Sequence, residues 1–436
     1  MGGAYGGESA DSSLYLDTGT KKLKLLFIHH NLPGQFHHLL FQFCRLPWAE
    51  VMGLGERRWI SANLNKLPAG LPVLTYDMPP VLLNDIHPFL QTSNQAVVRG
   101  QQVAALLLRL KKEGYVPDIV YVHPGWGEAL FIKDVFPQTR LVQYCEFFYR
   151  SIGLDVGFDP EYADTFEDQL QLRVRTSHHL LSLDAMDLGI SPTQWQKSSF
   201  PKVYRAYIDV VHDGVDTRQV KPNVAAHLIL PNGRLLKRND EVVTFVNRNL
   251  EPYRGFHSFM RSLPKLQRLR PDAQILIVGG DEISYGRQAP LGYFRQKMLD
   301  EVGTGLKLEN IHFLGKVPYN YYLSMLQVST VHVYLTYPFV LSWSLLEAMA
   351  CGCLVVASRT PPVEEVINDG ENGFLVDFFS PEDIAERIAM ASGERAMQSS
   401  IGLQARQTMI DRFDLYGVCL PKQMELLGLK EKMGFL

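Results

Sequence analysis

Residues 331–377 read VHVYLTYPFVLSWSLLEAMACGCLVVASRTPPVEEVINDGENGFLVD. The first five are β-branched and aromatic, which suits a buried strand. A loop through Tyr337 and Pro338 leads to a helix, SLLEAMACG, with Ser342 or Ser344 as its N-cap and Gly352 where it stops. Leu354–Ala357 (LVVA) is a short apolar run of the kind buried in parallel sheets. The order strand, loop, helix, strand points the helix N-terminus out of the carboxyl edge of a strand, where open α/β sheets bind phosphorylated ligands. Glu347, about one turn into the helix, can accept two hydrogen bonds from a vicinal diol.

Glu347-Ala-Met-Ala-Cys-Gly352 resembles the donor-site signature of retaining glycosyltransferases of family 4, of the bacterial polysaccharide-biosynthesis type. That signature has a glutamate, seven residues, and a second glutamate opening an E-A-[MF]-A-x-G run. The resemblance implies the GT-B architecture: two Rossmann-like, doubly wound α/β domains facing across a cleft, with a C-terminal helix crossing back to the first. It gives Glu347 the nucleotide ribose, and makes Phe339, Leu341, Ser342, Trp343, Ser344 and Leu345 the candidate donor-binding surface around it. The chain departs from the pattern at Phe339, where the first glutamate would contact the donor sugar.

Composition sets outer bounds. A chain of 436 residues, 46% hydrophobic, can bury the cores of two domains. A net charge of −3 and the lack of a basic, aromatic-interleaved stripe argue against nucleic acid as a partner. Five scattered cysteines (Cys44, Cys145, Cys351, Cys353, Cys419) suggest a reducing compartment, hence a cytoplasmic protein. No run of about 18 apolar residues is present, so no membrane-spanning segment is expected. Residues 1–20 read as a polar, Gly/Ser-rich tail with no apolar core, not a signal peptide. The organisation expected is a first domain over 21–216, a linker over 217–240, a donor domain over 241–410, and a C-terminal helix over 411–436 packing back on the first domain.

In the first half, Leu23–His29 is a strand followed by His30-Asn-Leu-Pro-Gly34-Gln35 and a helix from Phe36. Glycine there lets backbone approach a ligand. The resemblance places this loop on the cleft and makes Gly34 and Gln35 donor-binding candidates; the plain alternative is an ordinary β–α turn. His29, His30, His37 and His38 lack cysteine or carboxylate partners at ligand spacing, and no metal is expected. Asn94–Lys111 reads as an amphipathic helix. Asp118–His123 is a buried strand ending in histidine, before Pro124-Gly-Trp-Gly-Glu128. His123 matches the family's cleft histidine, and Glu128 reads as a first-turn carboxylate. Leu141–Glu146 is another strand, after which Phe147-Phe-Tyr-Arg150 offers either an acceptor-sugar platform or core packing. A single helix is expected over Phe166–Leu183, and Ser191-Pro192 as the opening of a helix.

The second half begins with a hairpin about Pro231-Asn-Gly233 and a strand Val242–Arg248. Arg248 and Arg254, six residues apart across a strand-to-helix loop, can converge on a diphosphate. They resemble the family's arginine–lysine pair, with Arg254 in the lysine position. The catalytic candidates are therefore His123, Arg248 and Arg254. The resemblance makes Lys316 and Val317, in the loop that holds the base in the family, candidates for base contacts. The chain has no Asp-x-Asp, so no metal is called for and no cofactor is expected beyond the nucleotide sugar as co-substrate. The expected function is retaining transfer from a nucleoside-diphosphate sugar, UDP-glucose first, to a saccharide or lipid-linked saccharide in cell-surface polysaccharide synthesis. A nucleotide-sugar 2-epimerase and a non-catalytic nucleotide-sugar-binding protein are the rivals. Peripheral membrane contact through Phe36–Trp48 competes with core packing of the same rings.

Overall fold

The computed structural model describes residues 22–80, 85–286 and 293–431. The expected tail over 1–20 and the last residues of the 411–436 segment lie outside them.

The apolar runs form two parallel sheets. The first holds β1 (Leu23–Ile28), β2 (Ala49–Glu56), β3 (Val73–Tyr76), β4 (Ile119–Val122), β5 (Arg140–Tyr144), β6 (Leu188–Ser191) and β7 (Ile208–Val210), in the order β3-β2-β1-β4-β5-β6-β7. A hairpin of β8 (His227–Ile229) and β9 (Leu235–Lys237) follows. The second sheet holds β10 (Val242–Asn249), β11 (Gln274–Gly280), β12 (Ile311–Gly315), β13 (Val331–Tyr334), β14 (Leu354–Ser358) and β15 (Phe374–Val376), in the order β12-β11-β10-β13-β14-β15. Strand order reverses between β1 and β4 and again between β10 and β13. Those switch points open crevices at the carboxyl ends of the strands.

Helices cover both faces of each sheet, which is why β4, β13 and β14 are buried at every position. In the second domain Phe245 of β10 stacks on Phe259 of helix Phe256–Leu269, with centroids 4.4 Å apart. The C-terminal segment joins the two cores. Ala405 and Met409 of helix Arg395–Phe413 pack in the second domain. Leu415, Leu420 and Met424 then pack with Phe27 and Phe36 in the first. Val215 N–H donates to Phe413 O and Leu415 N–H to Val215 O where the chain crosses.

A second crossing lies nearer the cleft. After β5 the chain leaves the first sheet and residues 146–165 lie along the second domain, with Phe147 inside its core and Tyr149 and Phe158 packed against it. Three acids of this strap are satisfied by the other domain. Asp155 accepts from Tyr253 OH, Asp159 from Tyr337 OH at 2.7 Å with His257 Nε2 at 3.0 Å, and Glu161 pairs with Arg261 and Lys297. In return Glu365 of the second domain accepts from the N–H groups of Gln194 and Trp195, both at 2.8 Å, at the start of helix Gln194–Ser199.

Two expectations need correction. The helix expected over Phe166–Leu183 is two helices, Phe166–Arg175 and Ser177–Asp184. Between them the Thr176 hydroxyl donates back to Arg173 O, the local side-chain bond that competes with helix continuation. Ser191-Pro192 does not open a helix: Ser191 ends β6, and Thr193 caps the helix by accepting from Gln196 N–H.

Asp213, 6% exposed, sits at the domain boundary and accepts from Tyr144 OH at 3.0 Å and from Trp343 Nε1–H of the second domain at 3.2 Å. Burial pushes its carboxyl up to about 7, against the pull of those two donors. The folded protein therefore binds this proton more tightly than the unfolded chain does. The stability it contributes is fully present below the ordinary value of 3.8 and is lost as pH rises through about 7. Asp213→Asn is expected to flatten that dependence, so that its melting temperature falls less than the wild type's between about pH 5 and about pH 8 in a calorimetric scan. Equal slopes in the two proteins would contradict the assignment.

Candidate active site

The first-domain wall of the cleft is a polar chain on the ends of β1, β4 and β5. Gly34 stands at φ +49°, and a Cβ on it would lie 2.5 Å from His29 Nε2, so only glycine lets the loop lie on that imidazole. His29 Nδ1 accepts from Asn31 N–H at 2.9 Å, which leaves the proton on Nε2 for donation to Gln35 Oε1 at 2.8 Å. Gln35 Nε2 in turn donates to Glu146 Oε1 at 2.7 Å. On the other side His123 Nδ1 accepts from Gly125 N–H at 3.1 Å, and His123 Nε2 lies 3.4 Å from Glu146 Oε2. One imidazole and one amide thus converge on a single carboxylate, with the His29 ring behind the amide.

Electrostatics follow from packing. Burial drives His29 well below the usual histidine range, helped by His123 and His30. His30, against Trp126 with centroids 3.7 Å apart, is pushed down to about 3, chiefly by burial. Burial alone would raise Glu146. The His123 and Gln35 hydrogen bonds and the Arg248 charge reverse that and hold it below the ordinary value. Burial thus disfavours charge on His29 and His30, beside one anion at Glu146. Beside it is a cavity of about 140 Å³ lined by Arg99, His123, Trp126, Glu146, Tyr149 and Arg175 among others.

The second-domain wall carries the cations. Arg248, near the end of β10, is exposed, and its charge reaches both His30 and Glu146. Arg254 is only 6% exposed. Its Nη1 donates to Thr336 Oγ1 at 2.7 Å, Val340 O at 3.0 Å and Tyr334 OH at 3.3 Å, tying the loop after β13 to the start of helix Phe256–Leu269. Gly255, at φ +69°, caps that helix where a Cβ would meet Leu335 at 2.2 Å.

Helix Trp343–Ala350 opens onto the same cleft, capped by Ser342, whose hydroxyl accepts from Ser344 N–H. Ser342 N–H donates to Tyr334 OH at 2.8 Å. Leu341 and Leu345 are core residues behind the cap, while Trp343 is 41% exposed and reaches Asp213. Glu347 accepts from Tyr319 OH at 2.6 Å and Tyr322 OH at 2.7 Å, with burial raising its pKa. Each oxygen retains a lone pair for a ribose hydroxyl. Lys316 pairs with Glu282 at 2.6 Å on the surface, and Val317 is partly buried beside the core.

Two readings change on inspection. Phe339 is 2% exposed, ringed by Phe147, Tyr149, Tyr253 and Tyr285 with centroids 4.8–5.9 Å away, so it is a core residue of the domain junction and presents no open donor-facing surface. The aromatic residues after β5 close over it, so Phe147 and Tyr149 serve this packing. Glu128 is no first-turn carboxylate: fully buried, it accepts from Tyr76 OH at 2.7 Å and lies 3.5 Å from Arg99, anchoring the loop after His123. Glu146 belongs to this wall although nothing in its own segment singles it out beyond a place just after a buried strand, which His123 shares. Among the described residues, no group of three or more His, Cys, Asp or Glu is placed to hold a metal.

Two family models match the chain: one described as glycosyl transferase family 4 group over residues 51–220, the other as glycosyl transferases group 1 over residues 231–408. An uncharacterized glycosyltransferase of Methanocaldococcus jannaschii is 30% identical over 179 residues, 41% of this chain and 42% of that protein. The D-inositol 3-phosphate glycosyltransferase of Mycolicibacterium vanbaalenii is 28% identical over 215 residues, 48% and 46% of the two. The chain thus matches slightly less than half the length of these curated relatives. The crystal structure of Anabaena HepE with UDP and glucose superimposes with a TM-score of 0.63 at 18% identity, covering 93% of this chain and 100% of that one, a likeness of fold.

Glu251, fully buried, holds the loop after β11 by accepting from the N–H groups of Ser284 (3.2 Å), Tyr285 (3.2 Å) and Gly286 (2.9 Å). That places Tyr285 over Arg254, 5.3 Å from guanidinium to ring centre. Glu251→Ala leaves these amides unpaired and should destabilise the protein by about 1–3 kcal/mol. The check is the denaturant midpoint together with faster amide exchange over residues 284–286; unchanged exchange there would rule the role out.

Proposed function

Because this chain belongs to the family 4 type of GT-B glycosyltransferases, we propose that it transfers a sugar from a nucleoside-diphosphate sugar to a saccharide hydroxyl with retained configuration and without a metal. The observation that carries the reading is the crevice itself. A helix N-terminus, the exposed Arg248 and the carboxylate of Glu347 border one side, and the Gln35–Glu146–His123 group borders the other. Glu347 takes the ribose hydroxyls. Arg248 and the amides opening helix Trp343–Ala350 meet the diphosphate, with the buried Arg254 adding charge from beneath. Lys316 and Val317 border the base. UDP is the favoured nucleotide and glucose the favoured sugar, a choice supported by the UDP and glucose bound to HepE. The acceptor, a saccharide or lipid-linked saccharide, enters the first-domain cavity.

In the reaction the bond between the anomeric carbon and the diphosphate oxygen breaks, and a bond to the acceptor oxygen forms on the same face. The acceptor proton passes to the departing phosphate oxygen, so no protein base is assigned. The charge developing on the leaving group is the main electrostatic demand, and it falls on Arg248, Arg254 and the helix end. No described helix is long and apolar enough to cross a membrane.

Arg248→Ala is the clean probe, since Arg248 is exposed and Arg254 is built into the loop after β13. Losing its charge-assisted contact should weaken nucleotide-sugar binding by about ten- to a hundredfold in calorimetric titration. Glu347→Gln should weaken it by a smaller factor. Release of nucleoside diphosphate with a saccharide acceptor present checks turnover. Wild-type affinity in both variants, or binding without any nucleotide release, would overturn the proposal.

A further inference from the structure

The sugar of the donor needs a hydrogen-bond acceptor that position 339 does not supply, because Phe339 is sealed among aromatic rings. Glu146 stands on the facing wall, in the Gln35–Glu146–His123 group. It directly precedes Phe147, whose ring is 4.8 Å from that of Phe339, and the charge of Arg248 acts on it across the cleft. With the ribose at Glu347 and the diphosphate at Arg248, the sugar extends away from the second sheet toward the first-domain wall. On that wall the Glu146 carboxylate lines the cavity and feels the Arg248 charge.

Its bonding leaves room for a ligand. Oε1 takes one bond, from Gln35 Nε2 at 2.7 Å, and Oε2 faces His123 Nε2 at 3.4 Å. A carboxylate has about four acceptor sites, so two or more remain open, and the side chain, 33% exposed, lines the cavity of about 140 Å³. The backbone is held independently, since Gln196 Nε2 donates to Glu146 O at 2.8 Å. The Gln35 bond, itself fixed by the His29 tautomer, holds the carboxylate in orientation.

Resting on the transferase reading, we infer that Glu146 binds hydroxyl groups of the transferred sugar, taking from the first domain the part that the acid missing at position 339 would play from the second. Gln35 and His123 position it. A purely structural role, pairing with His123 alone, would affect folding but not the discrimination between a nucleotide and its sugar ester.

The test is calorimetric titration of the full chain and of Glu146→Gln with UDP and UDP-glucose, and with GDP and GDP-mannose as a second pair. Glu146→Gln keeps the shape of the side chain and an oxygen for the Gln35 bond; Glu146→Ala is the second variant, and thermal melts check the fold of each. The expected result is an unchanged affinity for the nucleoside diphosphate, with nucleotide-sugar affinity about tenfold weaker and nucleotide release reduced further. Equal loss for both members of a pair would overturn the inference by placing Glu146 on the diphosphate through Arg248. Wild-type affinity and turnover for the nucleotide sugar in Glu146→Gln would overturn it while leaving the transferase reading intact. A wild type that binds none of the nucleotide sugars would overturn both.

Discussion

Carboxylates of one domain satisfied by hydroxyl and N–H groups of the other hold this molecule together across its cleft. Asp155 sits on Tyr253, Asp159 on Tyr337 and His257, Asp213 on Trp343, and Glu365 on the start of helix Gln194–Ser199. Asp155, Asp159 and Asp213 are buried, and a buried carboxylate without partners costs several kcal/mol. Removing any one of these donors therefore leaves a buried carboxyl group without its partner. The strap over 146–165 adds aromatic packing to the same boundary, with Phe147 and Tyr149 on Phe339. The consequence is a fixed alignment: the carboxyl ends of both sheets face one crevice, and side chains at those ends are held opposite one another.

The two walls are chemically unlike, and the difference follows from burial. The first domain offers imidazoles that packing keeps neutral, an amide whose orientation is set by a neighbouring tautomer, and a single anion at Glu146. Such a wall suits uncharged hydroxyls. The second domain offers an exposed guanidinium, a buried one, helix amides and a carboxylate between two tyrosines. Such a wall suits a diphosphate with a ribose beyond it. The nucleotide sugar proposed as donor presents those features in that order.

Much of this was legible along the chain because it is local. Strands such as Leu354–Ser358 announce themselves as apolar runs, Ser342 and Gly352 mark helix ends, and glycines such as Gly34 stand where a side chain would clash. That Arg248 sits near the end of one strand, and Glu347 on the helix that follows another strand of the same sheet, was also readable. What was not readable depends on partners far apart in sequence. Gln35 and Glu146 are separated by 111 positions, so the bond between them has no signature in either segment. The resemblance puts Phe339 on the donor-binding surface, and the rings that make it core come from distant segments: Phe147 and Tyr149 of the other domain, Tyr253 and Tyr285 of its own. Glu128 likewise reads as a first-turn carboxylate until Tyr76 and Arg99, from two other elements, enclose it. Thr176 and Thr193 shift helix boundaries through single hydroxyl bonds, a scale below that of hydrophobic periodicity.

The claim on which everything turns is that both walls close on one nucleotide sugar. Hydrogen–deuterium exchange of the intact chain, with and without saturating UDP-glucose or GDP-mannose, measures this directly. The account predicts that one of these ligands slows exchange in both walls at once: residues 29–36 and 123–127 in the first domain, and residues 247–255 and 342–347 in the second. Protection confined to a single domain, or none with any nucleotide sugar, would contradict it.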